Sequence, residues 1–174
     1  INNRILLIYI LNGDAFYYLD SSTTQTTSSS SLQDDSSASF TFTPPDSCRA
    51  LILYNVANSY GVTEDGYGKK AAINIGGTDY SQAEKAAAAD DCPDSIFTMW
   101  ALSLSASSTK VTGRFASNRV GETVSINRRQ LGVLMFADDT LLDTVSSNSQ
   151  VSTTSSSLVH DDYATISRTT TDAR

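Results

Sequence analysis

Alternation of apolar and polar residues with a period of two is the feature that most constrains how this chain folds. It is clearest in "ASFTFT", residues 38–43, and in "TKVTGRFAS", residues 109–117. Successive side chains of a strand point to opposite faces, so this period is typical of a half-buried β-strand. The pattern places the following residues on the inward face: Ala38, Phe40, Phe42, Val111, Gly113 and Phe115.

About seven such stretches occur between residues 38 and 137, separated by turn-rich loops. One of them, "ALILYNV" at 50–56, is apolar on both faces, as expected of a central strand that is covered on two sides. The only helix-prone window is 81–91, which predicts either a short helix or a loop. Because long connections follow residues 56 and 75, the sequence predicts an all-β protein with an antiparallel, jelly-roll-like β-sandwich.

The opening residues of the chain recur near its end. The stretch "INNRILLIYILNGD" (1–14) aligns with "INRRQLGVLMFADD" (126–139) at a constant offset of 125. The Ser/Thr-rich stretches that follow are similar by composition alone, and they carry no weight. A leucine, an acidic pair and a further strand also recur in the same order, with Asp34-Asp35 matching Asp161-Asp162. Composition does not produce such an order, so the sequence predicts an internal repeat of about 126 residues.

This repeat predicts a division of the chain into five parts. They are the end of a preceding repeat (1–20), a Ser/Thr-rich connector (21–33), a β-sandwich domain (34–143), a second connector (144–160) and the first strand of a following repeat (161–174). Since the chain begins with isoleucine rather than methionine, we expect a processed or partial product. A lone terminal strand cannot bury its apolar faces, which predicts flanking strands that pair with neighbouring units. The predicted assembly residues are Ile5, Leu6, Ile8, Ile10, Leu11, Ala164 and Ile166.

Four segments follow one another in the order RALILYNVAN, AINIGG, SIFTMWALSLSASSTKVTGRFAS and RRQLGVLMF. They lie within residues 34–143, the region over which the chain resembles the tandem jelly-roll repeat domains of prokaryotic extracellular filaments and of viral fibre or decoration proteins. The resemblance consists of strand patterns without a catalytic motif. It implies a structural or adhesive role and supplies no site residues.

No set of residues in the sequence has the pattern of a catalytic site. His160, the only histidine, lies in the second connector beside Asp161 and Asp162. A connector offers no rigid element that would hold this imidazole as a general base. The sequence also lacks a Gly-rich phosphate loop, metal-ligand spacing and a nucleophile elbow. We therefore expect a protein that is not an enzyme.

Paired aspartates are the only candidate metal ligands. Asp34, Asp35, Asp161 and Asp162 lie where a connector meets a strand, and carboxylate oxygens are ligands that Ca²⁺ prefers. Calcium at such a junction would stiffen an array of domains. The alternative is that these residues favour turns and keep strand edges soluble. No other cofactor is predicted.

Cys48 and Cys92 both lie beside loop signals. A disulfide between them would close a loop of about 45 residues and contribute roughly 4 kcal/mol if unstrained. It would also indicate an oxidising, extracellular setting. Two separate thiols are the other interpretation, and the sequence leaves both open.

Tyr60 and Tyr67 flank Glu64 and Asp65 in the stretch "SYGVTEDGYGK". Exposed aromatic rings beside carboxylates could bind a glycan, with the rings stacked on its sugar faces. The alternative interpretation is that both tyrosines pack over the end of the sandwich.

Charge and hydropathy restrict the partners of this chain. The net charge of −7 argues against a nucleic-acid surface, which requires a basic patch. The longest apolar run, residues 5–11, is far shorter than the roughly 20 residues of a membrane-spanning helix, so no membrane insertion is predicted. We expect an extracellular protein, on a cell surface or virion surface, that serves as the structural subunit of a filament and has identical subunits as partners. The alternative is a glycan-binding adhesion module or a viral fibre or decoration protein.

Overall fold

Nine β-strands make up the described part of the chain. The computed structural model describes residues 16–60, 68–86 and 94–137. The strands are β1 (Phe16–Ser21), β2 (Gln25–Thr27), β3 (Gln33–Phe42), β4 (Cys48–Tyr60), β5 (Gly68–Ile75), β6 (Thr78–Ala86), β7 (Asp94–Leu104), β8 (Thr109–Ser117) and β9 (Val124–Ala137).

The strands form two antiparallel sheets that pack face to face. The first sheet has the order β1-β9-β4-β7, with β2 also paired to β9, and the second has the order β3-β8-β5-β6. Their pairs are nested along the chain, since β5 pairs with β6, β4 with β7, β3 with β8 and β1 with β9. An antiparallel ribbon rolled up in this way is a jelly roll. The all-β, jelly-roll-like sandwich predicted from the sequence is confirmed.

A two-residue turn closes the innermost hairpin of this roll. Gly76 and Gly77 connect β5 to β6 with φ angles of 58° and 96°. A type I′ turn requires positive φ at both central positions, and glycine adopts it without steric cost. Residues 81–86, where the sequence predicted a helix or a loop, instead continue β6. Pairing with β5 outweighs the high helix propensity of the alanines there.

The core lies between the sheets and follows the predicted alternation. In the second sheet Ala38, Phe42, Val111 and Phe115 are buried, and Phe40 packs against them. The first sheet contributes the facing buried residues Ala50, Ile52, Tyr54, Val56, Leu131, Val133 and Met135.

β9 runs without a break for 14 residues. In the sequence the apolar pattern falls into two stretches, 122–126 and 130–137, with Arg128 and Arg129 between them. The interruption is not structural, since Arg129 is fully buried within the sandwich.

The sandwich also includes residues that the sequence interpretation placed outside it. Residues 16–20 were assigned to the end of a preceding repeat, and 21–33 to a connector. In the structure β1 pairs with β9 over all six of its residues, and β2 pairs with β9 as well. The aromatic stretch "FYYLDS" does not alternate, so its sequence gave no sign of this edge strand.

Candidate functional site

The outer face of the first sheet is apolar. Inward residues of β4 alternate with Leu51 and Leu53, which therefore point away from the core. The same alternation turns the apolar residues of β1, β7 and β9 outward beside them. This surface, called the apolar face below, consists of Phe16, Tyr18, Leu51, Leu53, Phe97, Met99, Ala101, Gly132, Leu134 and Phe136.

Strand register aligns these residues in rows that run across the sheet. The first row contains, from β1 to β7, Phe16, Leu134, Leu51 and Ala101. The second row contains Tyr18, Gly132, Leu53 and Met99. Neither row contains a charged side chain, so the centre of the face is apolar from one edge of the sheet to the other.

Four large side chains of this face are open to solvent in the single chain, and the leucines between them are half-buried. Phe16 is 58% exposed, Tyr18 53%, Phe97 53% and Met99 48%. The rings of Phe16 and Tyr18 stack with their centroids 5.9 Å apart. Phe16 also lies over Gly132, where an added Cβ would meet its ring at 3.5 Å. Contiguous exposed apolar surface of this kind marks interaction sites in soluble proteins.

Polar residues bound the apolar face at both ends of the strands. At one end Arg49 donates a hydrogen bond to Ser103 Oγ at 2.5 Å. At the other end Arg128 Nη2 lies 3.7 Å from Asp20 Oδ2. The two ends therefore differ in charge, because Asp20 lies at only one of them.

The outer face of the second sheet has the opposite character. Most outward residues here are polar, and they are called the polar face below: Asp34, Ser39, Thr41, Lys70, Asn74, Asp79, Glu84, Lys110, Thr112 and Arg114. Ala72 and Ala116 also lie on this side of the sheet. Ser39 and Thr112 share a hydrogen bond of 2.8 Å across β3 and β8. Arg114 Nη1 donates to Asp79 Oδ2 at 2.6 Å. Polar side chains of this face therefore pair with one another across the strands.

Asp79 shows how the polar face is balanced. Partial burial alone would raise the pKa of Asp79, but hydrogen bonds from Arg114 and Asn74 outweigh burial and hold the pKa below its ordinary value. The Asn74 amide donates to Asp79 Oδ1 at 2.6 Å.

β1 is a sheet edge without a bulge, and Asp20 is its one charged residue. It bonds to β9 in an unbroken register from Phe16 to Ser21, and no described strand lies on its other side. Natural edge strands commonly carry bulges or charges that prevent pairing with other chains. Among the described edges, β3 has a bulge between Asp34 and Ser39, and β6 carries the charged residues Asp79, Glu84 and Lys85.

The fourth edge, β7, is turned toward β6. Thr98 of β7 donates a hydrogen bond to Ser81 Oγ at 2.7 Å. Tyr80 and Trp100 stack with their ring centroids 5.5 Å apart. These contacts close that side of the sandwich.

The two predicted calcium ligands that the structure describes have cationic partners. Asp34 Oδ1 lies 3.0 Å from Arg114 Nε on the polar face. Asp35 is fully buried on the other side of the same strand, where Arg129 Nε donates to its Oδ2 at 2.9 Å. Adjacent carboxylates that point to opposite sides cannot converge on one ion, so this pair does not form the predicted site. Asp161 and Asp162 lie outside the described residues.

Asp35, Arg129 and Tyr54 form a polar network inside the core. Arg129 Nη2 donates to Asp35 Oδ1 at 3.2 Å, and Tyr54 Oη donates to Asp35 Oδ2 at 3.0 Å. Arg129 Nη1 also donates to the carbonyl oxygens of Thr23 and Asn127. The network therefore connects β3 of the second sheet with β4, β9 and the β1–β2 connection of the first.

Burial determines the chemistry of Tyr54. It raises the pKa of Tyr54 well above the ordinary value, and the negative charge of Asp35 and the hydrogen bond to it act in the same direction. The Tyr54 ring lies directly on Gly113 of β8, where an added Cβ would meet ring carbon Cε2 at 2.3 Å. The network thus lies inside the core, where it stabilises the fold and is inaccessible to a ligand.

Most of the other predicted site residues lie outside the described residues. This applies to all of the assembly residues, Ile5, Leu6, Ile8, Ile10, Leu11, Ala164 and Ile166, and to Cys92, Tyr67 and His160. Cys48 is buried at the start of β4. Tyr60 ends β4, and its side chain is not described. The disulfide and the glycan site stay predictions.

In the described ranges, no group of three or more His, Cys, Asp and Glu side chains is arranged to hold a metal ion. Those same parts of the chain contain no helix with the length and hydropathy needed to cross a membrane.

Comparison with known proteins gives structural similarity alone. No family model and no curated protein matches the chain. It is similar to dimeric latent PorU from Porphyromonas gingivalis, with 6% identity and a TM-score of 0.43 over 76% of this chain and 14% of PorU. It is also similar to VP2 of the infectious bursal disease virus subviral particle, with 11% identity and a TM-score of 0.43 over 74% of this chain and 34% of VP2.

A third similar structure is Eiger TNF from S. frugiperda. Its identity is 13% and its TM-score 0.42, over 78% of this chain and 98% of the Eiger chain. The chain thus spans a small part of PorU and about a third of VP2. The sandwich assignment depends on the strand pairing of this chain and on none of these similarities.

Proposed function

We propose that this chain is the structural subunit of an extracellular filament or fibre, assembled head-to-tail through β-strand donation or as tandem repeats. The observation that carries the proposal is the open edge of β1, which has an unbroken register and no bulge. An added strand would gain main-chain hydrogen bonds along the whole of this edge.

The sequence just before β1 has the length and composition of such a strand. Residues 5–11 are seven consecutive apolar residues, which correspond to roughly 23 Å of extended chain, while the six residues of β1 extend for about 20 Å. Apolar side chains on both faces of the segment require cover on both sides. The outward side of an added strand would continue the apolar face beside Phe16 and Tyr18.

The same proposal extends to partners and location. Identical subunits are the partners, and the filament lies on the surface of a cell or a virion. The role is mechanical and non-enzymatic, since strand pairing and buried apolar surface transmit cohesion from one subunit to the next.

Electron microscopy of the full 174-residue chain tests this function. The informative variant is Ile8→Lys/Ile10→Lys, which places charges on the proposed donor strand. Its matched control is Ser22→Lys/Thr24→Lys, which adds the same charge at exposed positions between β1 and β2. We expect filaments from the parent chain and the control, and none from the donor-strand variant.

Two results would contradict the proposal. One is filaments of unchanged form from the donor-strand variant. The other is a parent chain that stays monomeric at all concentrations. In the second case, glycan binding that is lost on changing Tyr60 or Tyr67 to Ala would establish the adhesion alternative.

A further inference from the structure

We infer that Arg4 of one copy and Asp162 of the next copy form a buried ion pair at the joint between subunits. This pair would be equivalent to the pair of Arg129 and Asp35 inside each sandwich. The inference rests on the proposed function, and it adds to strand donation a side-chain contact that main-chain pairing does not require. Arg4 and Asp162 lie outside the described residues, whereas the pair that they match in sequence lies within them.

The pair inside the sandwich is closed and needs both of its members. The side chains of Arg129 and Asp35 are fully buried, and two hydrogen bonds of 2.9 and 3.2 Å join them. Such a bidentate contact is geometrically specific, and either charge without the other is strongly unfavourable in a core. A strand that brings one of these residues to a buried position therefore needs the other residue opposite it.

The first terminal segment repeats β9 at its buried arginine and not at its exposed one. In the alignment of residues 1–14 with 126–139, Arg4 matches Arg129, whereas Asn3 matches Arg128. Arg129 is fully buried, but the side chain of Arg128 is 58% exposed. The recurring arginine is thus the one that has a buried partner.

The inward residues of β9 recur as well. Three buried residues follow Arg129 at alternate positions: Leu131, Val133 and Met135. The residues that match them in the terminal segment are also apolar: Leu6, Ile8 and Ile10. A strand formed by this segment would carry Arg4 on the same face as these apolar side chains, because alternate residues of a strand share a face.

The second terminal segment repeats the start of β3, where the acidic member of the pair lies. Asp161 and Asp162 match Asp34 and Asp35. The side chain of Asp34 is 59% exposed, whereas that of Asp35 is fully buried. Asp162 is therefore the residue that matches the buried carboxylate, and Asp161 matches the exposed one.

Asp35 itself is not available to Arg4. Its two carboxylate oxygens already accept hydrogen bonds from Arg129 and Tyr54. Asp162 is the residue that offers the same chemistry at a matching position. In a head-to-tail assembly, the first segment of one copy meets the last segment of its neighbour, which brings the two members of the pair to one joint.

The described edges provide a place for this joint. Among the described strands, β1 and β3 are the edges of their sheets, and they lie side by side. Tyr17 of β1 contacts the rings of Phe40 and Phe42, with centroids 6.1 and 4.9 Å away. A strand added to β1 would therefore direct its inward side chains to the space beside β3. A β3-like segment that carries Asp162 fits that space.

Sedimentation velocity and electron microscopy of the full 174-residue chain test the pair. The informative variants are Arg4→Met and Asp162→Leu, since each leaves one unpaired charge at every joint. We expect each to raise the concentration needed for assembly by at least about 100-fold. The double variant Arg4→Met/Asp162→Leu leaves no unpaired charge and should recover most of this loss.

An equimolar mixture of the two single variants determines whether the pair joins different copies. When the variants alternate, one joint contains both substitutions and the next joint contains neither. No joint then holds a lone charge, so the mixture should assemble under conditions in which each variant alone does not. A pair within one copy would give no such rescue, because each chain would keep its own unpaired charge, and that result would overturn the inference.

Two neighbouring substitutions are the matched controls. Asn3→Met and Asp161→Leu change positions that match the exposed residues Arg128 and Asp34, so both should assemble like the parent chain. Circular dichroism of each variant verifies the sandwich, whose described strands contain none of the substituted positions.

The outcomes separate this inference from the proposed function. Unchanged filaments from both single variants, or a double variant that assembles no better than the singles, would overturn the inference and leave the filament role intact. A parent chain that forms closed oligomers but no filaments, with the same loss and rescue, would support the pair and contradict the filament role. A parent chain that is monomeric at every concentration would overturn both.

Discussion

The outer faces of the two sheets differ in the chemistry of their outward side chains. On the polar face, Arg114 contacts Asp79 and Asp34, and Ser39 shares a hydrogen bond with Thr112. On the apolar face, two full rows of mainly aliphatic and aromatic residues have no charged group among them. Antiparallel sheets commonly have one buried and one solvated face. The second sheet follows this rule, because its outer face is polar. The first sheet departs from it, because its outer face is apolar.

The contrast is between a face whose polar side chains pair with one another and a face that exposes large apolar side chains. Both faces lie on the same core and are joined through the Asp35–Arg129 pair. Their difference therefore comes from the outward residues alone and not from the quality of the fold beneath them. Asp34 and Asp35 are adjacent in the sequence, but the Asp34 side chain lies on the polar face and the Asp35 side chain lies in the core.

The largest expected effect comes from breaking the link between the two sheets. Arg129→Met should reduce the free energy of unfolding by about 3–5 kcal/mol, because it leaves Asp35 buried without a compensating charge. Arg128→Met is the matched control, since the neighbouring side chain is exposed and its pair with Asp20 contributes about 1 kcal/mol or less. Urea denaturation measures both variants.

Equal losses of unfolding free energy in Arg129→Met and Arg128→Met would contradict a buried ion pair between Arg129 and Asp35. A further check is the double variant Arg129→Met/Asp35→Leu, which removes both charges. It should be more stable than Arg129→Met alone, because no unpaired charge then remains in the core.

The next largest change in stability is expected for one of two glycines, Gly113 of the second sheet and Gly132 of the first. Gly113→Ala should cost about 3 kcal/mol, because the new Cβ overlaps the Tyr54 ring and displaces it from Asp35. Gly132→Ala places its Cβ on the apolar face at an ordinary contact distance from Phe16, and should change stability by about 0.5 kcal/mol or less. Thermal unfolding of the two variants distinguishes them. A similar loss in both would mean that the Tyr54–Gly113 contact is not tight.

A smaller effect concerns Tyr54 and alkaline pH. Tyr54→Phe should cost about 1 kcal/mol at pH 7, through loss of the hydrogen bond to Asp35. Because the pKa of Tyr54 is raised in the folded state, its contribution is fully present below the unfolded value of about 10 and is lost as the pH rises through the folded value. The variant should therefore lose less stability than the parent between pH 9 and 11. If the stabilities of the parent and of Tyr54→Phe fall in parallel between pH 9 and 11, the ionisation of Tyr54 is not linked to folding.

The smallest effect is expected on the polar face. Arg114→Met should cost about 1 kcal/mol or less, since it breaks exposed ion pairs with Asp34 and Asp79. The pKa of Asp79 is lowered, so this contribution is present above the unfolded value near 4 and disappears as the pH falls. Denaturation at pH 7 and pH 3 measures the difference. Assembly should be unaffected, and a loss of association would instead place the interface on the polar face.

Sequence alternation predicted the parts of the fold that depend on local pattern. The inward residues of β3 and β8 follow it, because a period of two fixes the face of each side chain. It also predicted that β4 is apolar on both sides. Position in the sheet was not accessible in this way: "FYYLDS" does not alternate, and the alanines of β6 favour helix until β5 pairs with them.

Arg129 was missed for a different reason. An arginine inside a strand indicates a break or an exposed position, unless a buried partner compensates its charge. That partner, Asp35, is 94 residues away in the sequence, so no local pattern could identify it. The predicted repeat held a signal, since it matches Arg129 with Arg4 and Asp35 with Asp162. Two charged residues that recur together could have indicated a pair.

Electron cryo-microscopy of the assembled 174-residue chain is the most direct test of the central claim. The account predicts that a strand of a neighbouring copy pairs with the β1 edge of each sandwich, along Phe16–Ser21. An assembly in which the β1 edge remains in solvent, while the copies contact one another elsewhere, would contradict it.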